Sequence, residues 1–184
     1  MRDKVVIAVT GASGMIYVRE LFALLAESDV EVHGIISEAG EQVLDLELGL
    51  RPGDLGEVTW WGIRQFTAPM ASGSAPFQAM AVLPCTMGTL AAIAGGLSAN
   101  LIHRAADVML KERRRLVLAV RESPLNRTHL QNMLCVHDAG ATICPAMPSM
   151  YQKPQSIDEM ARNYAARLVE SLGLVVDYPR WQGW

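Results

Sequence analysis

The sequence lacks the features that mark nucleic-acid-binding, secreted and membrane-spanning proteins. Its 16 Lys and Arg residues are outnumbered by 19 Asp and Glu residues, and the net charge of −3 provides no basic surface for nucleic acid. No run approaches the ~20 apolar residues of a membrane span. Residues 1–11 enter a strand-like run at once, so we expect no signal peptide and no membrane partner.

Cysteine is also scarce. The three cysteines, Cys85, Cys135 and Cys144, are odd in number and lack the spacing of metal ligands. We therefore expect no metal site, and we interpret the three side chains as reduced thiols of a cytoplasmic protein.

Apolar sequence, in contrast, is abundant. Hydrophobic residues make up 51% of the 184 positions and charged residues 19%, which is enough to bury a core in one domain over residues 1–184. Apolar strand-like runs alternate with segments of helical spacing, and this alternation predicts a parallel sheet with helices on both faces. We therefore expect a three-layer α/β fold of the Rossmann or flavodoxin-like type.

The predicted elements follow from apolar periodicity and from turn and cap residues. Strands are predicted at 4–10, 30–36, about 63–67, 78–84, 116–121 and 141–148. Helices are predicted at 14–27, 38–48, 87–96, 100–113, 126–138 and 156–172. Gly140 and Gly173 are expected just past helix ends, and Ser156 with Glu159 has the spacing of a capping box. Residues 49–66 are the most loop-like stretch, because they contain four glycines and a proline.

Polar turns follow several of the predicted strands. "TGASG" at 10–14 places glycines and a serine hydroxyl before a helix whose N–H groups could meet an anion, although an ordinary tight turn is the alternative. Ser37, residues 86–89 and the pair Arg121–Glu122 follow later strands, and Ser37 could be only a helix cap. Because strand ends meet at one edge of a parallel sheet, we expect a ligand crevice there. The G-x-G-x-x-G pattern is absent, which favours a mononucleotide such as FMN over NAD.

The strings "TGASG", "SGS" at 72–74, "LPCTMGTLAAIAGG" at 83–96 and the whole of 100–133 carry a family resemblance. The chain resembles the UbiX-type flavin prenyltransferases over nearly its whole length. The resemblance implies a metal-independent enzyme that binds reduced FMN and dimethylallyl monophosphate. It implies prenyl transfer to N5 and C6 of the flavin and delivery of prenylated FMN to a UbiD-type decarboxylase. It also implies a homo-oligomer, a dodecamer, with sites at subunit interfaces.

The resemblance also implies roles for individual residues. The FMN contacts would be Gly11, Ala12, Ser13, Ser37, Thr86, Met87, Gly88, Thr89 and Arg121. The prenyl phosphate would be held by Ser72, Arg104, Lys111, Tyr151 and Arg167, some of them from neighbouring subunits. Glu47, Glu122 and Ser13 would lie at the reacting flavin edge, with Lys111 stabilising the leaving phosphate. Trp181 would form part of the aromatic wall beside the allylic cation, and Phe66 is a weaker candidate.

A few positions depart from the family pattern, and two other functions compete with prenyl transfer. Val18 and His103 stand where the family commonly has glycine and a polar residue, and Trp60 and Trp61 could be interface residues or a surface cluster. His33, inside a strand, is interpreted as structural.

One competing function is a non-catalytic FMN-binding redox or carrier module. The other is a flavin-dependent cysteine decarboxylase, whose catalytic histidine and Asn-rich string are not found here.

Overall fold

Strands and helices alternate along the chain, as the sequence predicts. The computed structural model describes residues 2–181 and 183. The strands are Asp3–Val9 (β1), Val30–Ile36 (β2), Thr59–Trp61 (β3), Ala79–Cys85 (β4), Arg115–Val120 (β5) and Thr142–Ile143 (β6). The α-helices are Met15–Ala26 (α1), Glu38–Leu48 (α2), Met87–Ala94 (α3), Leu101–Lys111 (α4), Arg127–Asp138 (α5) and Ile157–Ser171 (α6). Short 3₁₀ turns span Pro52–Leu55 and Pro69–Ala71.

The strands form one parallel sheet whose order is β3-β2-β1-β4-β5-β6. This is the doubly wound order, which reverses direction between β1 and β4. The expected three-layer α/β fold is therefore confirmed. In such sheets ligands bind outside the carboxyl ends of the strands at the point of reversal, so this order locates the candidate site.

Alternating side chains of the central strands divide the core between the two faces of the sheet. Val5, Ile7 and Val9 of β1 pack in the cluster that contains α1 and α6. Val6 and Ala8 pack in the cluster that contains α3, α4 and α5. Successive strand residues point to opposite faces, so each helix layer covers its own apolar set. None of the helices in the described residues has the length and apolar composition needed to cross a membrane.

Two strand predictions were wrong. β3 lies at Thr59–Trp61 rather than at 63–67. β6 has only two residues, although the prediction covered 141–148. The chain after β6 still pairs with β5, because Cys144 N–H donates to Leu118 at 2.9 Å and Ala146 N–H to Val120 at 3.1 Å. In a parallel pair only every second residue donates to a given neighbouring strand, so Pro145, which stands between the two donors, removes no hydrogen bond from this ladder.

Trp60 and Trp61 belong to the sheet and do not form an exposed cluster. Their role at a subunit interface stays a prediction. Both are half-buried in β3. A side chain at Gly34 of β2 would lie 2.5 Å from the Trp60 ring, so glycine allows the ring to lie on the strand. Trp61 Nε1 donates to His33 Nδ1 at 2.9 Å, and His33 Nε2 lies 2.7 Å from Glu31. His33 therefore has partners for both ring nitrogens, which confirms its structural role.

The helix-end predictions are mostly confirmed. Ser156 caps α6 by accepting from Glu159 N–H at 3.0 Å. The capping box is incomplete, because the Glu159 carboxylate accepts instead from Gln155 N–H at 2.6 Å. Gly140 and Gly173 have the left-handed φ values of 111° and 83° expected just past a helix.

Candidate active site

Thr10 joins the two strands at which the sheet order reverses. Its hydroxyl donates to the Pro84 carbonyl at 2.6 Å and accepts from Thr86 N–H at 3.0 Å. The side chain is 3% exposed, so this contact is a buried link between the ends of β1 and β4. Thr10 is the first residue of "TGASG", but it was not predicted from the sequence as a site residue. Its position directly before the first glycine of that turn could have revealed it.

The N-terminus of α3 follows β4 at this same point. Thr86 caps the helix, because its hydroxyl accepts from Thr89 N–H at 3.2 Å and donates to the Thr89 hydroxyl at 3.0 Å. The N–H groups of Met87 and Gly88 have no partner within the helix, as at any helix start. A side chain at Gly88 would meet no atom within 4 Å, so the space beside it is open. This helix start can therefore bind an anion or a polar ring edge.

The N-terminus of α1 is different, and here the sequence expectation of free N–H groups was wrong. The Glu47 carboxylate of α2 accepts from Gly14 N–H at 3.0 Å and from Met15 N–H at 2.8 Å. Ala12 N–H donates to the Thr10 carbonyl at 2.9 Å. A carboxylate from the chain itself thus occupies the anion position of this helix, and negative charge is favoured there. Of the two helix starts, that of α3 is the one open to a ligand phosphate.

The pKa of Glu47 is lower than that of an ordinary glutamate. Burial acts to raise this pKa, but hydrogen bonds from Ser13 and from the N–H groups of Met15 and Gly14 oppose it, as does the positive charge of Arg121. The net lowering keeps Glu47 ionised at neutral pH. Ser13 and Glu47, both predicted to lie at the flavin edge, are therefore close enough for the serine hydroxyl to influence the carboxylate.

Arg121 and Glu122 follow β5, as the sequence indicates. Arg121 N–H donates to the Cys85 carbonyl at 3.2 Å, which places this residue beside the end of β4. Its side chain is exposed, and within residues 2–181 and 183 it makes no ion pair. Glu122 is also exposed, and its carboxylate accepts from Ser123 N–H at 3.0 Å. The end of β5 thus carries an exposed carboxylate and an exposed cation that makes no ion pair among the described residues.

A cavity of about 450 Å³ opens beside Ser37 at the carboxyl end of β2. Phe66 and Asn100 contribute to its lining. Ser37 caps α2 by accepting from Gly40 N–H at 3.0 Å, which confirms the predicted helix cap, and its contact with FMN stays a prediction. A cavity of similar size, about 500 Å³, lies at the opposite ends of β2 and β3 and contains none of the predicted site residues. We favour the cavity beside Ser37, because ligands bind at carboxyl ends of parallel strands.

The residues predicted for the prenyl phosphate form two groups on opposite sides of the sheet. In the first group, Arg104 Nε of α4 donates to the carbonyl of Ala71 at 3.0 Å, directly before Ser72, and Lys111 ends the same helix. The second group lies on the α6 side. It contains Arg167, and Tyr151 with Trp181, whose rings are 5.4 Å apart in an edge-to-face arrangement. Since α4 and α6 pack on different faces, one chain does not bring all of these residues together.

Each cation of this predicted set already has a carboxylate partner in its own chain. Arg104 pairs with Asp107 at 2.8 Å, Lys111 pairs with Glu112, and Arg167 pairs with Glu170. The three carboxylates were not named from the sequence, although two lie three residues along the same helix, a spacing that brings side chains together. The positive charge is therefore balanced before any phosphate binds.

Comparison with known proteins assigns the family. A family model described as Flavoprotein matches residues 1–165. The flavin prenyltransferase UbiX of Methanothermobacter thermautotrophicus is 44% identical over 182 residues, which cover 97% of this chain and 95% of that protein. The chain belongs to the UbiX-type flavin prenyltransferases.

Solved structures resemble this flavin prenyltransferase over its whole length. AnUbiX, solved with FMN and dimethylallyl pyrophosphate, superposes with a TM-score of 0.96 at 40% identity and 100% coverage of both chains. A dodecameric FMN-dependent UbiX-like decarboxylase from Escherichia coli O157:H7 gives 0.92 at 36% identity, over 98% of this chain and 100% of that one. A PPC decarboxylase with 21% identity and a TM-score of 0.64 shares the fold alone. The cysteine decarboxylase alternative is therefore not favoured.

Two tyrosines behind the glycine turn of this prenyltransferase were missed from the sequence. A side chain at Gly14 would lie 3.0 Å from the Tyr17 ring, so Tyr17 packs against the turn. Tyr17 meets Tyr164 edge to face with ring centroids 4.9 Å apart, and the Tyr164 hydroxyl donates to the Cys144 carbonyl at 2.9 Å. Burial raises the pKa of Tyr17, and the charge of Arg121 partly opposes it. The position of Tyr17, one helical turn after a glycine loop, could have indicated from the sequence that its ring packs against that loop.

Proposed function

We propose that this flavin prenyltransferase joins the dimethylallyl group of dimethylallyl monophosphate to N5 and C6 of reduced FMN. The observation that carries the proposal is the convergence at the sheet reversal. The open N-terminus of α3, the guanidinium of Arg121 and the carboxylate of Glu122 all follow β4 or β5, at neighbouring strand ends. Within residues 2–181 and 183 that guanidinium makes no ion pair. Prenyl transfer to FMN needs an anion site for the phosphate and, along the same crevice, a group for proton transfer at the flavin ring, and residues of both kinds are found here.

The FMN is proposed to lie along the strand ends, between the glycine turn after β1 and the start of α3. The donor set suits it, because hydroxyls of Thr86 and Thr89, open backbone at Gly88 and the guanidinium of Arg121 can meet phosphate or polar ring atoms. The remaining FMN contacts proposed are Gly11, Ala12, Ser13, Ser37 and Met87. Glu47 is proposed to act at the flavin edge together with Ser13, whose hydroxyl lowers the pKa of this carboxyl.

The prenyl phosphate is proposed to bind where two subunits meet. Ser72, Arg104 and Lys111 would come from one subunit, and Tyr151, Arg167 and Trp181 from another. The separation of these groups by the sheet supports the shared site. It also supports a homo-oligomer, which we propose is a dodecamer.

Three kinds of side chain would perform the transfer. Guanidinium and ammonium groups stabilise the charge that develops on the phosphate as the carbon–oxygen bond breaks, without a metal. The aromatic faces of Trp181 and Tyr151 would attract the allylic cation. Glu122 would accept the proton that leaves C6 of the flavin ring. Reduced FMN supplies the nucleophilic nitrogen and carbon.

The recipient and the location are further parts of the proposal. We propose that prenylated FMN passes to a UbiD-type decarboxylase and that the transfer takes place in the cytoplasm. All three cysteines are free thiols, which supports a reducing compartment. Activation of an apo decarboxylase of this type by the reaction product would test the recipient.

Anaerobic incubation with reduced FMN and each prenyl donor, followed by mass analysis of the flavin, tests the function. We expect prenylated FMN with dimethylallyl monophosphate and less product with the diphosphate. Faster product formation with the diphosphate would show that the diphosphate is the donor, and the proposed reaction would stand. Bound but unmodified FMN with both donors would instead favour a non-catalytic flavin module.

A further inference from the structure

The loop at residues 72–75, here called the Ser72 loop, carries a serine proposed to bind the donor phosphate. Its internal contacts are few. The Ser72 hydroxyl lies 2.9 Å from the Ser74 hydroxyl, and Ala75 N–H donates to the Ser72 carbonyl at 3.2 Å. Ser72 and Ser74 are both exposed. These bonds lie within the loop and do not set its position against α4, so contacts from outside the loop must fix that position.

Arg114 provides those contacts. Its Nη1 donates to the Ala75 carbonyl at 2.8 Å, and its Nη2 donates to the Gly73 carbonyl at 2.6 Å. The side chain is half-buried, and its own N–H donates to Met109 of α4 at 2.8 Å. A guanidinium that makes two hydrogen bonds from a rigid fork fixes both distance and orientation. Arg114 thus holds the loop against the end of α4.

The same loop lies directly against Lys111. A side chain at Gly73 would lie 2.6 Å from Lys111 Nζ and 2.1 Å from the Glu112 carboxylate. Only glycine allows this approach without displacing the ammonium group. The loop position set by Arg114 therefore also sets the relation between Ser72 and Lys111.

We propose that Arg114 is a positioning residue for the prenyl donor. It would touch no reacting atom, but it holds Ser72 and Lys111 in the arrangement that receives the donor's phosphate. This inference rests on the proposed function, which assigns those two residues to the phosphate. The side chain of the neighbouring Arg113 is exposed and, among the described residues, makes no hydrogen bond to the loop, so Arg113 serves as a matched control.

The experiment compares Arg114→Gln, Arg114→Lys and the control Arg113→Gln by steady-state kinetics and by FMN titration. We expect Arg114→Gln to raise the KM for the donor about tenfold, since hydrogen bonds to charged groups are strong, with kcat changed less than about twofold. FMN affinity should not change. Arg114→Lys, which keeps the charge and one donor at a time, should restore part of the loss. Arg113→Gln should match the wild type.

Inorganic phosphate provides a second readout that needs no turnover. Its inhibition constant, or its calorimetric Kd, should rise in Arg114→Gln in the same proportion as the donor KM. A parallel fall in kcat, FMN affinity and Tm would show a merely structural role and overturn the proposal. An unchanged donor KM and phosphate constant would also overturn it.

Two further outcomes keep the two proposals distinguishable. Absence of prenylated FMN from the wild type with either donor would refute the proposed function, and the phosphate constants of Arg114→Gln and Arg113→Gln would then decide the role of Arg114. If Arg114→Gln does not fold, Gly73→Ala tests the same arrangement. Its methyl group would displace only the flexible ends of Lys111 and Glu112. A donor KM unchanged in that variant would contradict the proposed arrangement.

Discussion

Replacing Thr10 by valine tests how far the crevice depends on the link between β1 and β4. The hydroxyl makes two hydrogen bonds, to the Pro84 carbonyl at 2.6 Å and from Thr86 N–H at 3.0 Å. Valine keeps the shape of the side chain but leaves both backbone groups without this partner. Serine keeps the hydroxyl and removes only a methyl group, so Thr10→Ser is the matched control.

The expected loss of stability follows from the burial of these groups. Pro84 is buried and Thr86 is half-buried, so water can replace the hydroxyl at Thr86 more easily than at Pro84. A buried group left without a partner costs about 1–3 kcal/mol, and a half-exposed one costs less. We therefore expect Thr10→Val to lower the free energy of unfolding by about 2–3 kcal/mol. Loss of a buried methyl group in Thr10→Ser should cost about 1 kcal/mol.

Urea unfolding of the FMN-free protein measures this difference, and FMN titration measures its effect on binding. FMN affinity should fall in Thr10→Val, because the start of α3 loses its tie to β1, and it should change little in Thr10→Ser. If the two variants unfold at the same urea concentration with the same slope, the hydroxyl does not link the strands energetically. Equal FMN affinities of the two variants would show that the link between β1 and β4 does not affect flavin binding.

Three other changes test individual residues. Glu122→Gln should keep FMN bound and slow prenylated-FMN formation about 10²–10⁴-fold, because the shape persists but proton transfer is lost. Hydrogen bonds hold the pKa of Glu47 below the ordinary 4.5 despite partial burial, so its stabilising contribution is present above that value and is lost as the pH falls through the lower folded value. The stability difference between the wild type and Glu47→Gln should therefore shrink as the pH falls below about 4.5 in urea unfolding series. Lys111→Ala mixed with Tyr151→Ala should regain part of the activity that each variant lacks, if subunits exchange and share the site.

Each of these tests has an outcome that contradicts it. Unchanged turnover would remove Glu122 from the mechanism. A stability difference independent of pH would show that the Glu47 carboxylate does not stabilise α1 as an anion. Mixed variants that demonstrably exchange subunits but recover no activity would exclude the shared prenyl site.

Elements built on local signals could be predicted from the sequence almost to the residue. β2 at Val30–Ile36 and α2 at Glu38–Leu48 have the predicted bounds, because a buried apolar run is followed at once by a serine cap. β3 could not be located this way. Its strand depends on a partner 26 residues earlier in the sequence, where Gly34 lies opposite Trp60.

The candidate site also contains parts that local sequence predicts and parts that depend on tertiary packing. The turns at residues 10–14 and 86–89 and the pair Arg121–Glu122 follow strands that the sequence predicts, so their common location follows from the parallel sheet. The group that binds the α1 N-terminus could not be predicted in this way, because Glu47 lies 33 residues from Gly14. Glycine spacing indicates that a helix start can take an anion, but tertiary packing decides which anion takes it.

The cations predicted to bind the prenyl phosphate are neutralised by carboxylates of their own chain, so charge alone does not require a shared prenyl site. A cluster of unpaired cations on an acidic chain would have made an oligomer or an anion necessary. Arg104, Lys111 and Arg167 instead have Asp107, Glu112 and Glu170 as partners, so a single chain carries them without an uncompensated charge. The case for sharing therefore rests on geometry, since the sheet separates α4 from α6. In the proposed site, donor binding would exchange a carboxylate for a phosphate at each cation. Because these ion pairs are partly exposed, they would oppose the exchange only weakly.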